Sequence, residues 1–167
     1  ALNIVREFDE PFAVGLKHMN PCGAGLGADV VEAWKKVYEG DKTSIFGGIV
    51  AFNREVNLEV AQLLKPIFLE IVMAPSFAPD ALELLRAKKN LRVLKVNMEG
   101  SVKEQMQCVS VNGGLLVQNQ DLTIVPVTAS QTVTEAVPTE GQIVDLNFTW
   151  RIVKHVKSNA ITVGKAG

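Results

Sequence analysis

Short apolar runs alternate along this chain with segments in which apolar residues recur at helical spacing. The runs are bounded by turn residues, which is typical of buried strands. They predict strands at residues 12–16, 46–52, 68–73 and 91–96. Because strands that alternate with helices are typical of layered domains, we expect an α/β fold with a mixed sheet and flanking helices.

Capping residues predict where the helices between these strands begin and end. Asp29, with Glu32 three residues later, has the form of a capping box, and Gly40 is suited to ending the helix that follows. Residues 57–64 and 80–89 are also predicted to be helical. Trp34 lies on the apolar side of the first of these helices, so we expect it in the core.

The second half of the chain has a different pattern. Residues 109–118 predict a strand or a bent strand pair, with Asn112-Gly113 as a tight turn. Residues 126–138 are rich in Thr, Ser, Val and Ala with little periodicity, which indicates a connector and a domain boundary.

A last helix and strand are predicted after this connector. Thr139 and Gln142 are suited to capping a helix that runs to about residue 156, and a short strand is expected at 160–163. Helical spacing predicts that Phe148 and Trp150 are core residues and that His155 lies on the helix surface.

Composition and charge exclude several classes of protein. The chain has 167 residues, of which 47% are hydrophobic, so it can bury a core of one domain or somewhat more. A net charge of −1 with scattered basic residues argues against binding to nucleic acid. Its apolar runs are much shorter than the roughly 20 residues needed to cross a bilayer, so no membrane partner is expected.

The cysteines and the start of the chain indicate where the protein works. Cys22 and Cys108 are far apart, with no metal-ligand spacing around them, so we expect free thiols, no zinc site and a cytoplasmic enzyme. The chain begins without a signal sequence, and we expect it to be a piece of something longer.

The most informative residues chemically are Lys17 and His18, which stand at the end of a predicted strand, before Asn20-Pro21 and several glycines. A histidine titrates near neutral pH and can accept a proton from a nucleophile, while an adjacent cation can hold an anionic or polarised group. On spacing alone such a pair is more often a solvated surface feature than a catalytic one.

Five blocks of sequence give this pair a context. They are Lys17-His18-x-Asn20-Pro21-x-Gly23, Ser44-x-Phe46-Gly47-Gly48-Ile49-x-Ala51, Glu70-Ile71-Val72-Met73-Ala74-Pro75, Gly113-Gly114-Leu115-Leu116-Val117-Gln118 and Lys157-Ser158-Asn159-Ala160-Ile161. In this order they resemble the bifunctional purine-biosynthesis enzymes that join aminoimidazole carboxamide ribotide (AICAR) formyltransferase to inosinate (IMP) cyclohydrolase. The resemblance implies that the chain is the first part of the transformylase portion.

The resemblance also implies a reaction and roles for three catalytic residues. The formyl group of 10-formyltetrahydrofolate, a co-substrate, would pass to the 5-amino group of AICAR during IMP biosynthesis. His18 would act as the base on that amino group, Lys17 would assist orientation and charge, and Asn159 would hold the formyl group or its oxyanion. Without the resemblance, Asn159 would be interpreted as a turn or cap residue.

Three further residues are implied to bind substrate. Phe46 and Gly47 match the block that lines the ribotide site, and Glu70 matches an acid near the substrate's amine or carboxamide. For Glu70 a purely structural partner remains the alternative interpretation.

The resemblance finally implies the architecture and the assembly. Residues 1–128 would form a lobe like cytidine deaminase, residues 129–138 a connector, and residues 139–167 the helix and strand that begin the next segment. The intact enzyme would be a homodimer with active sites between its subunits. No metal is expected, because the cysteine spacing of the zinc deaminases is absent.

Two other functions remain open on sequence grounds. Gly23-x-Gly25-x-Gly27 before a capped helix is superficially similar to the turn of a dinucleotide-binding oxidoreductase, although the usual third glycine position is filled by Ala28. The second alternative is a ribotide-binding module that is catalytically silent because the rest of its site lies elsewhere.

Overall fold

A computed structural model describes residues 1–98 and 106–167, and its centre is a five-stranded sheet. The strands are β1 (Phe12–Lys17), β2 (Asn20–Leu26), β3 (Gly48–Phe52), β4 (Leu69–Ala74) and β5 (Arg92–Lys95). Their order in the sheet is β2-β1-β3-β4-β5, in which β1 is antiparallel to both its neighbours and β3, β4 and β5 are parallel. The predicted α/β fold with a mixed sheet is confirmed.

Helices cover both faces of this sheet. They are α1 (Leu2–Val5), α2 (Val30–Gly40), α3 (Leu58–Leu64), α4 (Pro79–Arg86) and α5 (Glu140–Val153). Residues of α2, α3 and α4 form one buried cluster with the sheet, in which Trp34 packs against Phe52. On the other face, residues of α1 and α5 pack with Phe8 and Phe12. Because both faces are covered, the central strands are continuous apolar runs.

The strand β2 was not predicted, and its composition explains why. Proline and glycine are depleted in strands, yet β2 contains Pro21, Gly23 and Gly25. Pro21 is tolerated because β2 is an edge strand. A Cβ on Gly23 would lie 2.3 Å from the carbonyl oxygen of Val37, and a Cβ on Gly25 would lie 2.6 Å from that of Ala33. These glycines therefore let α2 pack closely on β2.

The glycines also bear on the dinucleotide-binding alternative. Gly23 and Gly25 lie within a strand and face the backbone of α2, rather than forming a turn at a helix N-terminus. The cradle of backbone N–H groups that receives a pyrophosphate is therefore not built from this run.

Several predicted features in the second half of the chain are confirmed. A separate hairpin forms from β6 (Met106–Val111) and β7 (Gly114–Asn119), with Asn112-Gly113 in the turn. Thr139 caps α5, and its side chain and that of Gln142 form the capping box. Between β7 and α5 the chain forms only a short 3₁₀ turn, Ala129–Gln131, in keeping with its weak periodicity.

Other predictions for this half are wrong. The helix α5 ends at Val153 rather than near residue 156, and residues 160–163 form no strand. Trp150 is 51% exposed, because α5 buries only Phe148 and Ile152 against the sheet. His155 is not on a helix surface, since it follows α5 and contacts Glu7 in a largely buried position.

Candidate functional site

The sheet topology gathers most of the predicted site residues at one end. Leu16 near the end of β1 pairs with Ile49, and Gly48 at the start of β3 pairs with Leu69 of β4. Because β1 runs antiparallel to β3, its last residue, Lys17, lies at the end where β3 and β4 begin. Lys17, Gly47 and Glu70 therefore share this end of the sheet, which we call the site end.

His18 lies in the tight turn that joins β1 to β2 at the site end. Lys17 pairs with Asn20, so His18 and Met19 are the two central residues of the turn. Their φ angles are +51° and +68°, the left-handed values that two-residue hairpin turns require and that Asn-Gly usually supplies. Non-glycine residues in this region cost on the order of 1–3 kcal/mol each, and such strain concentrates at functional sites. The turn presents His18 to solvent.

Lys17 holds the loop that precedes β3. Its ammonium nitrogen donates hydrogen bonds to the carbonyl oxygens of Phe46, at 2.7 Å, and of Gly47, at 3.1 Å. Two of the three ammonium N–H groups are thus bonded to described main-chain oxygens, and the third can donate to an anionic or polarised ligand. The cation therefore joins the end of β1 to this loop.

Gly47 is fixed in a conformation and a space that suit only glycine. Its φ is +66°, and a Cβ there would lie 2.8 Å from the Lys17 ammonium nitrogen and 3.5 Å from the ring of Phe68. The amide of Gly47 donates to the carbonyl oxygen of Phe68 at 2.8 Å. The loop is therefore in close contact with both β1 and the segment before β4.

Two aromatic rings form an accessible apolar surface beside this loop. The ring centroids of Phe46 and Phe68 are 5.3 Å apart, and Phe46 is 63% exposed. Met19, in the adjacent turn, is 92% exposed. A cluster of exposed large apolar side chains is typical of a surface that binds a ligand or another protein segment. The family resemblance implied Phe46 as a site residue, but Phe68 was not predicted, since an isolated phenylalanine carries no signal of this kind.

Asp41 orders the start of the same loop, and it was also missed. Its carboxylate accepts hydrogen bonds from the amides of Thr43 and Ser44 and from the Ser44 hydroxyl, which lies at 2.5 Å. The hydrogen bonds from Ser44, first that of its hydroxyl and then that of its amide, lower the pKa of Asp41. An Asp three residues before a Ser is a recognisable turn signal, so local pattern could have found it.

Glu70 is paired rather than free. Its carboxylate lies 2.9 Å from a guanidinium nitrogen of Arg92, which belongs to the neighbouring parallel strand β5. Both side chains remain partly exposed, so the pair is accessible to a ligand. An exposed ion pair of this kind contributes little to stability, typically no more than about 1 kcal/mol.

The segment that contains Asn159 reaches the turn from a distant part of the chain. The amide of Lys157 donates to the side-chain oxygen of Asn20 at 2.9 Å, although 137 residues separate the two. Asn159 follows two residues later and is exposed. The fifth sequence block therefore meets the first one at the hairpin turn.

No metal centre or membrane span is found in the part of the chain that the structure describes. Among residues 1–98 and 106–167, no three or more His, Cys, Asp or Glu side chains are grouped so that they could hold a metal ion. None of the helices in these ranges is long and apolar enough to cross a membrane.

Comparison with known proteins gives a consistent set of relatives. The family model described as "AICARFT/IMPCHase bienzyme" matches residues 1–167. A bifunctional purine biosynthesis protein PurH from Anoxybacillus flavithermus is 56% identical over 167 residues, which are all of this chain and 33% of that protein. PurH proteins from Bacillus cereus and Listeria monocytogenes are 51% identical over 165 residues and 54% identical over 164 residues. These matches cover 99% and 98% of this chain, and 32% of each relative.

The chain therefore spans about a third of the length of the curated relatives it matches. Among solved structures, Acinetobacter baumannii RibD aligns with a TM-score of 0.44 and 12% identity over 50% of this chain and 28% of that one. A score this low does not establish a shared fold. The family of the chain is shown by the family model and the PurH relatives.

Proposed function

Since the chain belongs to the AICARFT/IMPCHase bienzyme family, we propose that it provides part of an AICAR transformylase site. The site would transfer the formyl group of 10-formyltetrahydrofolate to the 5-amino group of AICAR, and the intact protein would also carry IMP cyclohydrolase. The observation that carries this proposal is the family match along the whole chain, taken with the meeting of Lys17, Phe46 and Gly47 beside His18.

His18 is the proposed general base. The 5-amino group is a poor nucleophile, because its lone pair is delocalised into the imidazole ring and the carboxamide. As its nitrogen bonds to the formyl carbon, a proton must leave it. The bond from that carbon to N10 of the folate then breaks, and N10 takes up a proton as tetrahydrofolate leaves. An exposed imidazole in this tight turn is suited to accepting this proton, and such help accelerates a reaction by about 10²–10⁴-fold.

Lys17 and Asn159 are proposed to stabilise the polarised substrate group and the negative charge that develops on the formyl oxygen. The remaining N–H of the Lys17 ammonium can orient a polarised substrate group, while its other hydrogen bonds keep it in place. The Asn159 side-chain amide can donate to the formyl oxygen as it becomes an oxyanion. Removal of one such donor typically costs about 10²–10³ in kcat.

The ribotide is proposed to bind along the loop before β3. The exposed ring of Phe46 offers a stacking surface for the imidazole of the ribotide. Because Gly47 has no side chain, the Lys17 ammonium group fits beside it. The Glu70 carboxylate can accept a hydrogen bond from the amine or carboxamide of the substrate. Holding both reactants in this way can lower the barrier by up to about 7–11 kcal/mol, so positioning would contribute more than acid–base strength.

We further propose the finer architecture and assembly that this family implies. Residues 1–128 would be a lobe of the cytidine-deaminase type, residues 129–138 a connector, and residues 139–167 the start of the next segment. The intact cytoplasmic enzyme would be a homodimer with its sites between subunits. The β6–β7 hairpin exposes large apolar side chains, among them Met106, Leu115 and Leu116. Their exposure supports the proposal that another part of the assembled enzyme covers this hairpin.

The second candidate function is ribotide binding without catalysis by this chain alone. The observation in its favour is the exposure of Met19 and Phe46 around His18, which leaves the site open on its outer side. Chemistry at such a site would need another segment or subunit to exclude water and hold the folate.

One experiment tests the proposal and separates the two candidates. Isothermal titration with AICAR would be carried out on the 167-residue chain and on the intact enzyme, followed by a formyl-transfer assay of both proteins with 10-formyltetrahydrofolate. Binding that His18→Ala or Asn159→Ala weakens would support a ribotide site here, and turnover only by the intact enzyme would favour the silent module. No binding of AICAR by either protein would overturn both candidates.

A further inference from the structure

We propose that Asn20 and Glu7 act as positioning residues, which hold the segment from Lys154 to Asn159 against the turn that carries His18. This inference rests on the proposed function, because it assigns these two side chains a role through Asn159. Neither residue belongs to the proposed set of substrate contacts.

Asn20 links the turn to the segment directly. Its backbone closes the turn by pairing with Lys17, and its side-chain oxygen accepts the hydrogen bond from the Lys157 amide at 2.9 Å. One residue therefore fixes both the turn around His18 and the chain two residues before Asn159. A shift of either partner would change the spacing between the proposed base and the proposed oxyanion donor.

Glu7 fixes the beginning of the same segment. One oxygen of its carboxylate lies 2.6 Å from the ammonium nitrogen of Lys154 and 2.9 Å from Nε2 of His155. The three side chains are largely buried, and Arg151 also donates to the Glu7 carbonyl oxygen at 3.1 Å. Charge-assisted hydrogen bonds in such a setting are about twice as strong as neutral ones.

The two anchors are close together in sequence. Only Val156 separates His155, which Glu7 holds, from Lys157, which Asn20 holds. The segment beyond α5 is therefore fixed at two successive points, although it forms no helix or strand of its own. We call this arrangement the clamp, and Asn159 lies two residues beyond Lys157, the last residue that it holds.

A purely structural role would lower stability without acting through Asn159, and a double-mutant cycle in the intact enzyme separates the two roles. Asn20→Ala is expected to lower kcat for formyl transfer by about 10- to 100-fold, with KM for AICAR changed by less, because a small misplacement of a reacting group has effects of this size. In the Asn159→Ala background, the same change should have little further effect.

Hydrogen exchange provides a readout that does not depend on activity. Asn20→Ala should speed exchange of the Lys157 amide, and Asn20→Asp, which keeps the accepting oxygen, should restore its protection. Glu7→Gln should speed exchange across residues 154–157, whereas Glu10→Gln, at an exposed position in the same loop, should not. If Glu7→Gln fails to fold, the Asn20 variants still test the clamp.

The outcomes separate the clamp from the proposed function. A large loss of kcat in Asn159→Ala with wild-type kcat in Asn20→Ala would overturn the clamp alone. Independent, multiplicative effects of the two changes on kcat would overturn it as well. Full activity of Asn159→Ala would overturn both the clamp and the proposed role of Asn159.

Discussion

The Lys17 ammonium nitrogen lies 3.1 Å from the carbonyl oxygen of Gly47, and a side chain on Gly47 would come within 2.8 Å of that same nitrogen. The contact therefore depends on glycine at position 47. Through it, the end of β1 is joined to the loop before β3, and a cation, an exposed aromatic ring and a strained turn meet at one end of the sheet.

Replacement of Gly47 by alanine should disrupt this junction. The new Cβ would impose the cost of a positive φ and would also displace the Lys17 side chain, so we expect the free energy of unfolding to fall by about 1–3 kcal/mol. Gly113→Ala is the matched control, because Gly113 has a φ of +84° but no atom within 4 Å of the added Cβ. Urea unfolding of both variants measures the difference, and equal losses would mean that crowding at Lys17 contributes nothing.

The two tryptophans should differ sharply in their contribution to stability. Trp34 is 2% exposed in the core between α2 and the sheet, and its replacement by alanine should cost about 3–5 kcal/mol. Replacement of Trp150, which is half exposed on α5, by alanine should lower the free energy of unfolding by much less. Thermal or denaturant unfolding compares the variants, and a similar loss for Trp150→Ala would contradict the packing described for α5.

Glu70 and Arg92 distinguish a substrate contact from a structural pair. If Glu70 accepts a hydrogen bond from AICAR, Glu70→Gln keeps an accepting oxygen but loses the charge. It should raise KM for AICAR in the intact enzyme by roughly tenfold, since a hydrogen bond to a charged group is worth about 1.5–3 kcal/mol and a neutral one about 0.5–1.5 kcal/mol. Arg92→Ala removes the same ion pair while leaving the carboxylate, so it should change KM less. Equal effects of the two changes would indicate that Glu70 acts only through Arg92.

Stability should fall with decreasing pH because of His155. Burial lowers the pKa of His155 below its ordinary value, and the hydrogen bond and charge of Glu7 oppose this only in part. The unfolded chain, whose histidine titrates near 6.5, then takes up a proton that the folded chain resists. The stability that neutral His155 contributes is therefore fully present above about pH 6.5, and it is lost as the pH falls below this value.

Denaturant unfolding at pH 7, 6 and 5 measures this effect. A single group can change the free energy of unfolding by at most about 1.4 kcal/mol per pH unit. His155→Gln should make this free energy less dependent on pH. Parallel pH dependences for the wild-type chain and the His155→Gln variant would contradict the assignment.

The elements that sequence predicted well are those with local signals. The helix α2 begins where Asp29 accepts hydrogen bonds from the amides of Val31 and Glu32, and it ends at Gly40, as expected from residues only a few positions apart. The β6–β7 turn at Asn112-Gly113 is equally local. In both cases the residues that determine the structure are neighbours in the chain.

Features that depend on distant residues were missed. The strand β2 exists because glycines admit the close approach of α2, although their intrinsic preference opposes a strand. Apolar spacing on α5 could not reveal that only Phe148 and Ile152 would meet the sheet, so Trp150 was misplaced. At the candidate site, the sequence pattern indicated Lys17 and His18 and the resemblance implied their roles, but nothing local indicated that Asn20 bonds to Lys157 across the fold.

The rate of formyl transfer by His18→Asn in the intact enzyme tests whether His18 is the general base. Asparagine tolerates a positive φ and should preserve the turn, but it cannot act as a base. Met19→Asn, at the other strained position of the same turn, is the matched control. We expect kcat to fall by about 10²–10⁴-fold in His18→Asn, with a much smaller rise in KM for AICAR, and to remain near wild type in Met19→Asn. Turnover by His18→Asn at the wild-type rate would show that His18 is not the base.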